Sequence, residues 1–431
     1  MRRTALAVAV GGLFMAPAAQ AQITFGNEQL GTLQIYGKLY PQVGWGSSKD
    51  ATQPGARVSN LVTGTASNTL GGTTPITSPG ARRAVDTQNS YLGFRGERDL
   101  ASVGAGLKFI WQLEQSVNFD NPDCGANGGA NTACAGFSTR NSFLGARTRF
   151  GTVKLGIMDT IYKDYGDTMQ MFGISSGNFV SASNMLSHIG VGRSNTARFH
   201  ERQPNSIQYE TPQFAGFTGG YQYSPDESRI TSGGGTDASL HSYGVKWDSR
   251  RFYVSVHQEI HNDRFGGSNN SVAALSNVGT SGAHSRDTGN RLSAEWRYSE
   301  NQRVVFDISR LRYRERGQVT TAPKFEAYTH STWAIGWDGG FGGPLRLAVQ
   351  FIRGNEGNCS ITNGIACSTT GLTGSQLNAG VRWRFDRQTF IYAIGSKLQN
   401  GPSARYDNWA AADPARGADI LQGAIGVSYT F

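Results

Sequence analysis

The chain has 431 residues, of which 38% are hydrophobic and 11% aromatic, and it carries 57 glycines, four cysteines and a net charge of +9. A soluble protein of this length needs apolar runs to fill two or three domain cores, and the sequence has no such runs. No window after the amino terminus is apolar for long enough to form a transmembrane helix. Two classes of protein remain possible: a secreted soluble protein, and a β-barrel that crosses a membrane with its strands.

The amino terminus has the pattern of a secretory signal peptide. A positive start, with Arg2 and Arg3, precedes an apolar stretch and a small-residue pattern that ends at Ala21. The alternative, an uncleaved membrane anchor, is disfavoured because the apolar stretch is shorter than the ~20 residues that a helical span needs. We therefore predict a cleaved signal peptide at 1–21 and a barrel domain at 22–431.

The first segment after it, LQIYGKLYPQVGW at 33–45, alternates apolar and polar residues with a period of two. One face holds Leu33, Ile35 and Trp45, whereas the other holds tyrosine, lysine and glutamine. This alternation is typical of a strand with lipid on one side and water on the other. Pro41 lacks an amide hydrogen and predicts a local break in strand pairing.

Segments of the same kind recur to the carboxyl terminus, joined alternately by short turns and long loops, which is typical of transmembrane β-barrels. The predicted strands are 33–45, two within 89–115, 140–149, 152–158, 205–210, 217–224, 239–248, 251–260, 290–298, 303–313, 328–337, 345–353, 375–385, 388–398 and 421–431. We therefore predict an all-β fold, a 16-stranded antiparallel transmembrane β-barrel with long outer loops.

Two details qualify this prediction. In 303–313 the apolar residues change face, since Phe306 and Ile308 lie on one side and Leu311 and Tyr313 on the other, and we predict a β-bulge there. A soluble sandwich or propeller is the alternative fold. It is disfavoured because a sandwich does not require alternating loop lengths and a propeller shows a repeat of ~40–50 residues, which is absent.

The cysteines occur as two close pairs in glycine- and asparagine-rich loops. Cys124 and Cys134 form one pair and Cys359 and Cys367 the other. Secreted proteins reach an oxidising compartment, so we predict two local disulfides that each restrain a loop. The spacing does not suit a metal site. The chain ends on Phe431, which extends the apolar row of the last strand and predicts a place in an aromatic girdle.

The strand sequences resemble a known family. NSYLGFRGERDL and GLKFIWQLEQ, together with FGTVKLG and NSIQYETPQFAGFTGGYQY, resemble strands of the general-diffusion porins of Gram-negative bacteria, in the branch found in β-proteobacteria. The resemblance implies an outer-membrane homotrimer in which each barrel holds a water-filled pore. It also implies that the third outer loop, 159–203, folds into the barrel and narrows it, and that the barrel-assembly machinery recognises Phe431.

Within that framework, inward-facing bases outnumber inward-facing acids about two to one by strand parity. We predict loop acids at the constriction, Asp159, Asp164 and Asp167, opposite wall bases. The predicted wall bases are Lys38, Arg95, Arg147, Arg382 and Arg384. The hypothesis is an anion-preferring pore, and the alternative is that individual bases pair with neighbouring acids and only hold the lumen together. Ile157 and Met158 stand where the family often has an arginine.

We predict passive diffusion of small hydrophilic solutes, with no enzymatic activity, cofactor or metal, because HExxH, GxSxG and phosphate-loop motifs are absent. A substrate-selective channel for sugars or carboxylates is the alternative. It would need a lumenal row of aromatics, for which Tyr36, Tyr40, Tyr91 and Tyr253 are the only candidates. An enzyme or adhesin on a barrel has less support.

The basic segment RLRYRER, near residue 310, is predicted to be a strand end without nucleic-acid binding. The positive net charge of the chain suits contact with lipopolysaccharide phosphates.

Overall fold

The structure is a computed structural model, and it describes most of the chain. The described residues are 23–27, 31–59, 68–78, 80–100, 102–104, 106–117, 140–173, 178–192, 199–225, 238–264, 284–317, 325–364, 366–408 and 414–431. The predicted signal peptide and the predicted Cys124–Cys134 disulfide lie outside these residues.

Twenty β-segments in the described residues form one sheet in which neighbours are antiparallel. In chain order they are β1 Ile23–Asn27, β2 Gly31–Leu39, β3 Gln42–Lys49, β4 Arg82–Asp86, β5 Tyr91–Asp99, β6 Lys108–Ser116, β7 Ser142–Thr148, β8 Gly151–Asp159, β9 Arg202–Glu210, β10 Phe217–Pro225, β11 Ser239–Asp248, β12 Phe252–Asn262, β13 His284–Ser299, β14 Gln302–Arg316, β15 Phe325–Gly340, β16 Leu345–Gly354, β17 Asn358–Ile361, β18 Gly374–Arg384, β19 Thr389–Asn400 and β20 Asp419–Thr430.

These segments make a closed barrel of sixteen strands. Three barrel strands are each interrupted once, because β2 and β3, β4 and β5, and β16 and β17 are successive halves that pair with the same neighbouring strands. β1 is an additional short segment beside β2. The last strand closes the barrel, since β20 pairs with β3 and, at Thr430, with Lys38 of β2. The predicted 16-stranded barrel is confirmed, and the first interruption falls at the predicted Pro41.

Side chains alternate between the two faces of the wall. In β14, Phe306 and Ile308 are exposed on the outside, whereas Val305 and Asp307 are buried on the inside. Large apolar or aromatic side chains are exposed on other strands as well, for example Leu155 and Trp383. Much of the outer face therefore suits lipid.

The bulge predicted in 303–313 is wrong. β14 pairs with β15 without interruption from Gln302 opposite Gly339 to Arg314 opposite Ala327. Leu311 and Tyr313 are turned inward on a regular strand because they pack against residues that fill the barrel. The register shift lies instead in β13, between Trp296 and Ser299.

Helical structure is confined to short pieces. The helices are α1 Ile161–Gly166 and α2 Ser183–Leu186, with 3-10 turns at Met171–Gly173 and Thr362–Gly364. Thr160 caps α1, because its hydroxyl accepts a hydrogen bond from the Lys163 amide. Among the described residues, every helix is too short and too polar to cross a membrane.

The hydrophobic core lies inside the barrel. One cluster joins Tyr162, Ile189 and Phe199, from the segment between β8 and β9, to Leu311 and Tyr313 of the wall. Two further clusters join other parts of that segment to the inner faces of β14–β20. Part of the inner wall is therefore apolar because it is covered by protein, and only the remainder faces water.

The carboxyl terminus is built into the wall. The amide and carbonyl of Phe431 exchange hydrogen bonds of 3.0 and 2.9 Å with Gly37 on β2, and its ring stacks on Tyr429 with centroids 5.8 Å apart. A Cβ on Gly37 would lie 2.6 Å from the Phe431 ring, so only glycine allows this approach. β1 pairs with β2 next to this position, since Ile23 lies opposite Ile35.

Cys359 and Cys367 form a disulfide across eight positions, with Cα atoms 5.9 Å apart. The bridge closes the turn after β17 and packs against the cluster that contains Tyr328. We expect a C359S/C367S variant to lose about 2.5 kcal/mol of local stability. Removing the cross-link raises the conformational entropy of the unfolded loop, and for a loop of this length the corresponding free energy at 25 °C is about that large. Faster cleavage of this loop by added protease, at unchanged single-channel conductance, would match the expectation; cleavage at the wild-type rate would contradict it.

Candidate functional site

The segment between β8 and β9 is here called the inner loop (160–201), and its described residues, 160–173, 178–192 and 199–201, lie against the inner face of the wall. Its first part follows β11 and β12: the Tyr162 amide donates to the Ser242 hydroxyl at 2.8 Å, and the Tyr253 hydroxyl donates to the Tyr165 carbonyl at 2.7 Å. Gly220 of β10 allows this packing, because a Cβ there would lie 2.6 Å from Ile161.

The middle of the inner loop continues around the wall to the last strands. Gln350 of β16 donates to the Met169 carbonyl at 2.6 Å, and Asn378 of β18 donates to the Val180 carbonyl at 2.9 Å. These wall residues are buried. The described part of the inner loop therefore lines the lumenal side of β10–β19.

The end of this path reaches the first strand of the barrel. The Lys38 ammonium donates to the Gly173 carbonyl at 2.7 Å. Phe172 has a φ of 55°, which is strained for a residue with a Cβ. Its ring is buried and lies 5.7 Å from the Arg382 guanidinium. Lys38 and Arg382 thus lie next to the inner loop at Gly173 and Phe172.

The wall opposite the inner loop, formed by β2 and β5–β8, is rich in bases. Arg95 lies over the Tyr36 ring at 4.7 Å, and its Nε donates to Gln34 at 2.9 Å. Lys154 lies on the same face and contacts Gln208 at 3.3 Å. This side of the lumen therefore carries several cations.

Four of the five predicted wall bases have no carboxylate partner within 4.0 Å in the described part of the chain. Lys38 and Arg95 bond to neutral oxygens, Arg382 lies 5.0 Å from the Phe390 ring, and Arg384 is exposed near the end of β18. Arg147 differs, because it lies 3.5 Å from Glu97. In the described part of the chain, no carboxylate therefore neutralises these four bases by direct contact.

The three predicted loop acids have different surroundings. Asp159 is neutralised between Lys163 at 2.9 Å and Arg202 at 3.1 Å, so it fastens the base of the inner loop. Asp164 is half exposed and lies 3.9 Å from Lys246. Asp167 is mostly covered, accepts a hydrogen bond from Gln170 and lies 3.9 Å from His200. Asp164 is thus the most exposed of the three acids.

Two further inward acids, Glu295 and Asp338, are held by bases. Glu295 and Asp338 bind Arg303 at 2.8 and 3.4 Å, and Asp338 also binds Arg346. Arg140 was not predicted from the sequence as a wall base, and it lies 3.6 Å from Glu114 and over the Tyr91 ring at 4.9 Å. Arg140 lies at the outer end of a predicted strand, where loop and wall residues are difficult to separate from sequence.

The candidate tyrosines do not form an open row. The Tyr36 hydroxyl donates to Glu114 at 2.9 Å, and the Tyr253 hydroxyl holds the inner loop. Tyr40 is only 1% exposed. These rings are fixed inside the wall, and little of their surface is open to a solute.

Two groups of the inner loop have shifted proton affinity. Burial raises the pKa of Asp167 to about 6, although the charges of Lys163 and Arg291 oppose this effect and that of Asp159 adds to it. Burial and the Arg291 charge lower the pKa of His200 well below its usual value, so His200 stays neutral. Asp167 is therefore the member of this pair that changes charge near pH 6.

We expect the anion preference to rise as the pH falls from 7.5 to 5, because Asp167 is negative above its pKa of about 6 and neutral below it. The reversal potential of purified protein in a salt gradient measures this. At both pH values, the Asp167→Asn variant is expected to show the reversal potential that the wild type shows at pH 5. An equal pH dependence in the variant and the wild type would assign the titration to another group.

Comparison with known proteins places this barrel in a family. A model of the Gram-negative porin family matches residues 5–431. The chain belongs to the Gram-negative porin family. The resemblance inferred from the strand motifs is thereby confirmed, and so is the predicted location, the outer membrane of a Gram-negative bacterium.

Among individual porins, the chain is 30% identical to the major outer membrane protein P.IB of Neisseria lactamica over 165 residues, which is 38% of this chain and 40% of the relative. It is 31% identical to the protein P.IA of Neisseria meningitidis serogroup C over 147 residues, which is 34% of this chain and 31% of that protein. The matches thus span less than half the length of these relatives.

Solved structures show the same fold at low identity. The anion-selective porin from Comamonas acidovorans aligns with a TM-score of 0.61 and 18% identity, over 93% of this chain and 99% of that chain. OmpF of Salmonella typhi, in complex with daunomycin, aligns with a TM-score of 0.55 and 14% identity, over 95% and 100% of the chains. At these identities the similarity concerns the barrel fold alone.

Proposed function

We propose that this porin is a passive, water-filled channel for small hydrophilic solutes and ions, and that it prefers anions. A passive channel needs a polar lumen, a constriction and a fixed field, and no catalytic group. Fixed charges act over ~8 Å at physiological ionic strength, which is enough to reach across a narrow opening.

One observation carries the anion preference. In the described part of the chain, Lys38, Arg95, Arg382 and Arg384 lack carboxylate partners, whereas Asp159, Glu295 and Asp338 are neutralised by bases. The field at the opening is therefore set by cations. The Comamonas relative, whose description calls it anion-selective, supports the same proposal.

The second candidate, a selective channel for sugars or carboxylates, has less support, because Tyr36, Tyr40 and Tyr253 are fixed in the wall. Free bases would favour carboxylates over sugars within this candidate. Flux of labelled solutes into vesicles separates the two, because a diffusion pore gives flux proportional to concentration and a selective channel saturates.

The direct test is the reversal potential of purified protein in a planar bilayer under a tenfold KCl gradient. We expect the sign of chloride preference and steps of conductance that close in three equal levels. A potential of the opposite sign would contradict the anion preference, and an absence of conductance would contradict the channel itself.

We further propose the partners and the processing. The chain assembles as a homotrimer, as in the structure described as the trimer form of Vibrio cholerae OmpT. Residues 1–21 are removed as a signal peptide, leaving 22–431 as the barrel domain. The barrel-assembly machinery recognises Phe431, the terminal aromatic residue beside Gly37. Outer-membrane lipid, including lipopolysaccharide, surrounds the wall.

A further inference from the structure

The last outer loop, which joins β19 to β20, is folded tightly at the outer mouth of the barrel. Its described residues are 401–408 and 414–418. Because β20 runs from this loop to Phe431, the loop lies at the end of the barrel opposite to the carboxyl terminus. The Gly417 amide donates to the Ala404 carbonyl at 2.8 Å. The two limbs of the loop are therefore joined, and residues 404–405 lie beside residues 416–417.

Tyr406 fixes the first limb of this loop to the interior of the barrel. Its side chain is only 1% exposed. The ring packs on three glycines, because a Cβ on Gly190 of the inner loop, Gly354 of β16 or Gly374 of β18 would lie 2.9, 2.6 or 2.4 Å from it. The adjacent Arg405 amide donates to the Gly190 carbonyl at 2.7 Å. The backbone at Arg405 is thus held against both the wall and the inner loop.

The first outer loop fixes the second limb. The Thr52 amide donates to the Arg416 carbonyl at 2.8 Å, and the Thr52 hydroxyl donates to the Pro402 carbonyl at 2.8 Å. Gly417 has a φ of 74°, and a Cβ there would lie 2.0 Å from the Thr52 hydroxyl, so this contact requires glycine. Hydrogen bonds on both limbs therefore determine where the side chains of Arg405 and Arg416 begin.

Arg405 and Arg416 form a pair of like charges on this fixed backbone. Both residues are half-buried. Burial and the charge of Arg405 lower the pKa of Arg416 below its usual value, although an arginine in a protein stays protonated. The Arg405 Nε is buried and has no hydrogen-bond partner in the described residues. In the same part of the chain, neither guanidinium has a carboxylate within 4.0 Å.

The described acids next to this loop do not neutralise the pair. Asp419 accepts hydrogen bonds from the Gln399 side chain at 3.3 Å and from the Asn400 amide at 3.2 Å. Asp407 is 9% exposed and lies more than 4.0 Å from both guanidinium groups. Two half-buried like charges side by side are unfavourable unless an anion compensates them. The pair therefore has the features of a site whose anion comes from solution.

The geometry of two adjacent guanidinium groups decides the class of anion. Each guanidinium presents its N–H donors in a planar fork, and this fork fits two oxygens of one carboxylate or phosphate. Chloride carries a single charge and has no such pair of oxygens, so it leaves one arginine uncompensated. A tetrahedral oxyanion with two negative charges can bridge both forks and compensate both arginines.

We propose that Arg405 and Arg416 form a binding site for tetrahedral dianions, namely inorganic phosphate, sulfate and phosphate monoesters, at the outer mouth of the barrel. The site binds such anions before they reach the inner loop. Its role in uptake rests on the proposed anion-preferring channel, whereas the binding itself requires no conduction.

The test is equilibrium dialysis of radiolabelled inorganic phosphate against the purified, detergent-solubilised protein at about pH 8, where phosphate is mostly a dianion. We expect saturable binding with a Kd below about 1 mM. The R405Q/R416Q variant loses two charge-assisted contacts and is expected to bind at least about tenfold more weakly. R405K/R416K keeps the charges without the planar forks, so its affinity should lie between the two. A matched control, K38Q/R382Q, removes two cations from the lumen and should bind as the wild type does.

Competing anions test the class of ligand. Sulfate should displace labelled phosphate at a similar concentration, whereas chloride should not displace it even in tenfold excess. No saturable binding to the wild type, wild-type affinity in R405Q/R416Q, or displacement by an equal concentration of chloride would overturn the proposal. An equal loss of binding in K38Q/R382Q would place the site in the lumen. Binding that occurs only in an Asp413→Asn variant would assign the two arginines to that carboxylate and would overturn the proposal as well.

Electrical recording separates this site from the channel. In planar bilayers, phosphate added on the outer side should lower the chloride current of the wild type at least twofold more than that of R405Q/R416Q. An equal effect on both proteins would contradict a role of this site in uptake. A protein that binds phosphate in dialysis but does not conduct would contradict the channel alone, so the two failures are distinguishable.

Discussion

Replacing Lys38, Arg95 and Arg382 with glutamine is expected to lower the anion-to-cation permeability ratio by at least tenfold. One charge ~5 Å from a passing ion contributes about 0.8 kcal/mol in water, and screening reduces this by roughly half. Three such charges therefore favour an anion by about 1.3 kcal/mol, which is close to a factor of ten, and they disfavour a cation by a similar amount, so the ratio changes by tenfold or more. The reversal potential in a KCl gradient measures the ratio directly.

The outer-wall variant R310Q/R312Q/R314Q, which changes three exposed arginines on the outer face of β14, is the matched control for this experiment, because it removes the same number of charges from the lipid side. It should keep the wild-type reversal potential. Arg147→Gln is a second control, since Glu97 already neutralises that base. If the lumenal and outer-wall variants shift the potential equally, the total charge of the protein, rather than the field in the opening, sets the preference.

Asp307→Asn is expected to destabilise the barrel by about 3–5 kcal/mol, because it leaves a buried arginine without its counter-charge. Asp307 is 0% exposed. It accepts hydrogen bonds from Arg291 at 2.9 Å, from Ser293, and from Thr168 of the inner loop at 3.1 Å. Loss of the last bond should also loosen the inner loop. Urea-induced unfolding in lipid vesicles measures the free energy of unfolding, and fluctuations of the single-channel current measure the motion of the inner loop.

The compensating variant R291Q/D307N distinguishes charge from shape. Removal of both members of a buried ion pair is often neutral, whereas removal of one is not. We therefore expect the double variant to recover most of the stability of the wild type. If Asp307→Asn is as stable as the wild type, or if the double variant is as unstable as the single one, the ion pair does not hold this part of the wall.

The barrel could be predicted from the sequence because each strand needs only a period of two and a turn at each end. The rule failed at Leu311 and Tyr313, which look like lipid-facing residues but point inward. Alternation reports that a face is apolar without saying whether lipid or protein covers it. Only the contact with Tyr162 and Phe199 in the folded chain makes this distinction.

The candidate site was harder to predict. Strand parity placed Lys38, Arg95 and Arg382 on the inner face, because parity is a local property. Whether a charge is free depends on partners distant in sequence, such as Arg202 beside Asp159. The same limit applies to the arginines of β14, whose outward direction follows from the regular ladder and contradicts the bulge inferred from the pattern.

The apolar inner wall has a consequence for attempts to widen the pore. Trimming the inner loop would remove the partners of Leu311, Tyr313 and Ile352 and leave these side chains facing water. The trimmed barrel would then expose apolar side chains on both its inner and its outer surface. Chains that have not yet inserted into the membrane would tend to aggregate. A design that widens the pore by shortening the inner loop must therefore also replace these inward-facing apolar residues with polar ones.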